Sequence, residues 1–267
     1  MSNPLTSVGK ATFNLLDYVG GLSAQIWAST LALPKTLPLV GNRYRWEASV
    51  RQMMQIGVDA FPMVALMSLC SGFILALQGA GELRKFGAIK FVIDLVAIGF
   101  TRELGPLITA LAVSGRSGSA FSAEIGTMVV TEEMDALRVM AFEPVEFVLA
   151  PKFLATLIAV PCLSVFANLS GICAGGLFMY FSSQIPAEQF LKYTMNSIQI
   201  KDIVSGLIKS LAFATVIVHV GCFEGFRVRG GPEAVGVATT AAVVKSTFLV
   251  IIVDAIFTAI FYAMGIS

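Results

Sequence analysis

A chain of 267 residues that is 56% hydrophobic, with a mean hydropathy of +0.82, carries only 13% charged residues. A soluble domain carries roughly 25%, so this composition excludes an ordinary soluble protein and predicts an all-α polytopic membrane protein. The net charge of +1 excludes the strong basic field that nucleic acid binding requires.

Residues 1–46 make a first region. Phe13, Leu16, Tyr18, Val19, Leu22, Ile26 and Trp27 are hydrophobic, Asp17 and the Gly20-Gly21 pair interrupt them, and Pro34 and Pro38 end any helix. Two readings stand: a helix lying in the membrane interface, or a weak crossing of about 20 residues. Asp17 and the glycine pair favour the interface. No signal peptide is evident, because Lys10 is nearly the only early base and no small-residue cleavage site follows an apolar core. A basic, aromatic approach to the membrane then runs from Asn42 through Arg43, Arg45 and Trp46 to Arg51.

Residues 47–267 form the membrane domain, with five expected crossings. The first covers about 56–77, with Asp59 and Pro62 near its start. The second begins near Phe91. The third, about 153–181, has no charge and carries Pro161, Gly171, Gly175 and Gly176 as bending or close-packing points. Residues 182–202 make a polar connection holding a short surface helix. The fourth crossing, about 203–223, contains Lys209 and His219. A loop from Glu224 onward precedes the fifth, about 245–264, which contains Asp254. With the N-terminus in the cytoplasm, the inner segments (Lys10, Lys35, Arg43, Arg45, Arg51, Arg138, Lys152, Arg227, Arg229 and Lys245) outnumber the outer bases Arg84, Lys85, Lys90, Lys192, Lys201 and Lys209.

No catalytic group emerges. Cys70, Cys162, Cys173 and Cys222 lie singly in apolar runs, and the one histidine, His219, has no carboxylate or cysteine near it in sequence, so it reads as packed or hydrogen-bonded and no metal site is expected. Gly115–Ala123 is rich in small residues, but the chain contains no Walker A lysine and no nucleophile elbow. It reads as close helix packing with Arg116 towards the cytoplasm.

Arg102-Glu103 is the strongest candidate site, because a charge at membrane depth costs at least about 2.5 kcal/mol. Adjacent helical residues point about 100° apart, so each needs a partner elsewhere; Arg51 and Asp59 are candidates. The pair is either the wall of a pocket for an amphiphile with a polar head, or an interhelical salt bridge that only positions helices. Pro106 predicts a kink just beyond it.

The stretch 131–143 reads as a short surface helix. Thr131 is its expected N-cap, Glu132, Glu133 and Asp135 fill the first turn, Arg138 lies near the end, and Pro144 stops it. Met134, Leu137 and Ala141 share a face. This is either a loop helix covering the bundle or a knob that inserts into a groove on a soluble partner.

The run ELGPLITALAVSGRSGSAFSAEIGTMVVTEEMDALRVMAFEPVEFVLAPKFLA, with Leu77-Gln78-Gly79 before it and Gly230-Gly231-Pro232-Glu233-Ala234-Val235-Gly236-Val237-Ala238-Thr239-Thr240 after it, closely resembles the core signature of the MlaE family of ABC transporter permeases, found in maintenance-of-lipid-asymmetry and Mce-type lipid transport systems. The resemblance implies an N-terminal interfacial helix, a homodimer, two ABC ATPase subunits that carry the ATP and Mg, a periplasmic ring of MCE-domain protein, a small cytoplasmic STAS-type subunit, and a multi-pass location in the bacterial inner membrane. It implies phospholipid bound in a cavity between the two copies, with Arg51, Arg102 and Glu103 at its polar cluster. Leu75, Leu77 and Leu104 are the expected acyl-chain walls. Residues 131–143 fall where the family places its ATPase-coupling helix. The chain departs from the family pattern in lacking a basic residue near Val237–Ala241; the next base is Lys245. Two alternatives remain at this point: the same machinery carrying a sterol or hydrophobic solvent, and a non-transporting membrane scaffold for an ATPase.

Overall fold

The computed structural model describes residues 4–36 and 43–265. Pro38 and Asn42 lie outside them. Every regular element among the described residues is helical. Helix α1 spans Pro4–Ala32 and passes into a 3₁₀ turn, Leu33–Thr36, that holds Pro34. Helix α2 spans Arg43–Leu83. The next run is helical from Phe91 to Val130, in three α segments joined by two π turns. These are α3 (Phe91–Gly99), the turn Phe100–Leu104, α4 (Gly105–Val113), the turn Ser114–Gly118, and α5 (Ser119–Val130). A short α6, Glu133–Val139, follows. A third π turn, Val145–Leu149, leads into α7, Ala150–Ser183. Helix α8 (Ala187–Ser197) is the surface helix expected in the polar connection. Helices α9 (Ile200–Phe226) and α10 (Pro232–Ala263) close the chain.

Among the described residues, four helices are long and apolar enough to cross a membrane: Trp46–Phe86, Val145–Ser183, Ile200–Phe226 and Pro232–Ala263. They correspond to the first, third, fourth and fifth expected crossings; the first three of these run past both expected ends, and the last begins earlier and ends at Ala263. The largest shift is in α10, which begins at Pro232, so Val235–Thr240 are its first turns and not a loop. Lys209, counted above among the outer bases, is inside α9 and buried.

Small residues set the packing. α2 and α7 cross at Gly72 and Gly171, where a Cβ on Gly72 would overlap the Gly171 carbonyl, and one on Gly171 would overlap the Phe100 ring. Without a hydrophobic drive between helices in lipid, this backbone approach is what supplies dispersion contact. Gly72→Val should therefore cost about 1–3 kcal/mol by prising α2 from α7, read as a lower melting temperature in detergent; an unchanged melt would mean that this crossing carries no stability.

Two apolar cores result. One joins α2, α4, α5, α7 and α9 around Val113, Phe153, Phe213 and Ile217; the other joins α2, α3, α7 and α8 around Val96, Phe100, Met179 and Phe190. α1 is held differently. Gln25 donates to the His219 carbonyl at 3.2 Å, and Ser29 lies 2.6 Å from His219 Nε2. His219 Nδ1 meets the Thr215 carbonyl at 2.7 Å. A carbonyl only accepts, so Nδ1 carries a proton, and the Ser29 hydroxyl stands between Nε2 and the Ile26 carbonyl, 2.9 Å away. His219 is thus the hydrogen-bonded histidine, and α1 docks through polar side chains while Phe13, Leu16 and Trp27 face outward.

Candidate functional site

The π turn Phe100–Leu104 sets the polar centre. Gly105 donates to the Phe100 carbonyl, five residues back. On that spacing the donor for Thr101 would be Pro106, which has no N–H. The kink expected at Pro106 is therefore absorbed as an extra residue in the turn before it. The Gly206 backbone of α9 closes over the Thr101 carbonyl, where a Cβ would overlap.

Asp202, Gly206 and Lys209 stand at i, i+4 and i+7 on one face of α9. Arg102 and Glu103 reach this face on either side of the glycine contact. Arg102 Nε bonds the Asp202 carboxylate at 2.6 Å, and Asp202 also accepts from the Gln199 backbone as part of a capping box at the start of α9. Lys209 is 1% exposed and bonds three groups: the Glu103 carboxylate, Asp254 at 2.9 Å and the Thr258 hydroxyl at 2.8 Å. One ammonium thus ties the Phe100–Leu104 turn, α9 and α10 together, with its three protons matched by three acceptors.

The expected partners of Arg102-Glu103 are corrected. Asp59 pairs with Arg116 at 2.7 Å, and Arg51 lines a groove with Glu47, Glu124 and Lys152. Arg51 and Leu77 are both on α2, and the 26 residues between them make about 39 Å of helix, so they do not line one headgroup pocket. Leu77 is exposed on the outside of α2, whereas Leu75 and Leu104 pack against the second core. The partners that sequence reasoning missed are Asp202, Lys209, Asp254 and Thr258. Their signal was the spacing of Asp202 and Lys209, seven residues apart in an apolar helix.

The short helix is also redrawn. Thr131 ends α5 and does not cap α6; Glu132, with φ 61°, precedes α6 in the left-handed region. α6 stops at Val139, not at Pro144. Ala141, with φ 60°, then closes a Schellman motif in which Phe142 N–H reaches the Leu137 carbonyl at 2.9 Å and Ala141 N–H reaches that of Arg138 at 3.0 Å. Met134 is buried and Leu137 packs on the first core, so this ridge covers the bundle, the first of the two readings. The outward apolar residues are Val139, at 88% exposure, Met140 and Phe142. Glu132, Glu133 and Asp135 are exposed beside them, and Arg138 pairs with Asp135 at 3.0 Å.

The profile of the family described as Permease MlaE matches residues 49–260. A probable ABC transporter permease protein of Rickettsia felis is 33% identical over 263 residues, 97% of this chain and 98% of that protein. The intermembrane phospholipid transport system permease protein MlaE of Haemophilus influenzae is 33% identical over 264 residues, 98% and 99% of the two chains. The chloroplastic protein TRIGALACTOSYLDIACYLGLYCEROL 1 of Arabidopsis thaliana is 31% identical over 242 residues, 91% of this chain and 68% of that one.

Proposed function

This chain belongs to the MlaE permease family, and on that premise we propose that it is the membrane subunit of an ATP-driven transporter that moves phospholipid between the bacterial inner membrane and a periplasmic MCE-domain carrier. The name of the Haemophilus relative supports phospholipid as the cargo. The observation that carries the reading is one continuous helical run, Phe91–Val130, that joins two sites. At one end Glu103 sits in the buried Lys209 cluster. At the other, the turn at Thr131-Glu132 leads directly into α6.

In this reading the run Phe91–Val130 is the second crossing, which with the four long helices makes five. Two ABC ATPases, which hold the ATP and Mg, dock on α6 and the residues just after it. A small cytoplasmic STAS-type subunit and the periplasmic MCE ring complete the assembly. Two copies of the chain meet along α10, whose apolar window is 11% buried against 56% for α9. The Lys209 cluster opens towards that face, because Thr258 is exposed and the Glu103 side chain is 37% exposed. The cavity between copies is then lined by Glu103, Thr258 and Arg102, which is 20% exposed. Closure of the ATPases pushes α6, the π turns yield, and the ion pairs around Lys209 shift as lipid enters or leaves.

Glu103→Gln tests the cargo site with little risk to the fold, since Lys209 keeps Asp254 and Thr258. Lipid transfer by the reconstituted complex should fall about ten-fold, the loss of one charge-assisted hydrogen bond, and less phospholipid should co-purify, while ATPase association stays intact. Unchanged transfer and unchanged co-purified phospholipid would sink the site. A sterol as the retained lipid would overturn phospholipid as cargo.

A further inference from the structure

A groove of about 1130 Å³ lies between α1, the end of α9 and the first half of α10, outside the Lys209 cluster. It is at the end of the bundle that carries α6, because Met134, Asp135 and Arg138 of α6 line one cleft with Gln25, Ala28, Phe223 and Phe226. One end is cationic. Arg227 stacks its guanidinium over the rings of Phe223 at 5.3 Å and Tyr18 at 5.8 Å, and these rings meet edge to face at 5.1 Å. The Lys245 ammonium lies 4.7 Å over Tyr18 and 2.8 Å from Glu224. Arg229 is exposed at the same rim. Three cations thus face one carboxylate in the groove; Glu233 stands on the adjoining, shallower face of α10. The other walls are apolar: Val19, Leu22, Val237, Phe248 and Leu249.

We propose that this groove holds one anionic phospholipid of the cytoplasmic leaflet, as a resident ligand and not as cargo. The chemistry is complementary in two parts. A phosphodiester carries the negative charge that the rim's surplus of two cations lacks. Its acyl chains fit the apolar slot between α1 and α10, which a water-soluble anion would leave empty. The cations are positioned before the ligand arrives, since aromatic rings and Glu224 fix Arg227 and Lys245. Lys245 lies 13 residues into α10, yet its side chain reaches Glu224 near the end of α9, which is a lysine snorkelling towards a headgroup layer. The base absent near Val237–Ala241 is thereby supplied from Lys245, and Val237 is left as apolar wall.

The test is thermal melting of the purified full-length chain in detergent, titrated with dioleoylphosphatidylglycerol, with dioleoylphosphatidylcholine, and with inorganic phosphate. Phosphatidylglycerol should stabilise saturably and the other two should not. Arg227→Gln with Arg229→Gln should weaken its half-saturation by roughly thirty-fold, as expected for two interfacial bases, whereas Lys192→Gln with Lys201→Gln, at the other end of the bundle, should leave it unchanged. Val237→Trp, which fills the slot and keeps every charge, should weaken it too. Equal effects of both lipids, an effect of phosphate alone, or equal losses in the two double variants overturn the proposal. So does a Val237→Trp chain that changes its oligomeric state in size-exclusion chromatography, because the groove is then a protein interface. Glu103→Gln should retain the phosphatidylglycerol response, which separates this site from the transport site.

Discussion

Lys209→Met is expected to destabilise the chain by about 3–5 kcal/mol, the cost of removing one partner from a buried ion cluster. Lys209 is 1% exposed and carries the only cation bonded to both Glu103 and Asp254 among the described residues. Without it two carboxylates face each other between the Phe91–Val130 run and α10, and the turn that carries Glu103 cannot swing away from α9, since Gly206 is locked on the Thr101 carbonyl. The triple change Lys209→Met, Glu103→Gln and Asp254→Asn removes the charges together. It should recover most of the stability, because replacing a whole buried cluster by neutral groups costs far less than breaking it. Transport should stay lost in the triple variant. Melting in detergent and lipid transfer in proteoliposomes measure the two effects. A Lys209→Met chain that melts like wild type would remove the cluster from the account of stability, and a triple variant that transports would remove it from the account of function.

At the other end of the helical run, Val139→Asp with Met140→Asp should weaken association with the ATPase by 2 kcal/mol or more per residue if these side chains are interface anchors, about thirty-fold each. Both are well exposed, so the melting temperature should hardly move. Met134→Ala should do the reverse. Met134 is 4% exposed within the first core, and truncating it should cost about 2–5 kcal/mol of stability while the ATPase affinity of the folded fraction is kept. Pull-down or calorimetric titration against the ATPase subunit, with parallel melts, separates the two classes. Binding lost on Met134→Ala and retained in the aspartate pair would reverse the assignment of faces.

Composition was enough to read a helical membrane chain, and charge at Arg102-Glu103 was enough to find the polar centre. The partners were hidden for a physical reason. A buried ion pair is a relation between helices, and only the i, i+7 spacing of Asp202 and Lys209 leaves a trace of it within one segment. The face of α6 stayed undecided because apolar periodicity shows which residues share a side, not whether that side meets the bundle or a partner. Met134 and Leu137 form the stripe, but the stripe covers the protein's own core. The π turns were invisible for a related reason. Pro106 signalled a disturbance, yet whether a proline bends the helix or inserts a residue depends on what packs against it, here Gly206. Similarly, α10 begins at Pro232, so a stretch rich in glycine and threonine is helical because it packs against α5: Val235 meets Gly126.

The attachment of α1 carries a consequence for the order of assembly. Ser29 is bonded to a residue 190 positions later, and Gln25 to one 194 positions later. At roughly 5–20 residues per second, ribosomal synthesis delivers His219 about ten to forty seconds after Ser29. The first helix made is therefore among the last to be fastened. Through that interval Ser29 can bond the Ile26 carbonyl of its own helix at 2.9 Å, but the Gln25 amide must keep water as its partner, a condition met at a membrane surface and not inside hydrocarbon. The same bonds make α1 a checkpoint: its docking reports that the fourth crossing has arrived with His219 at the correct depth.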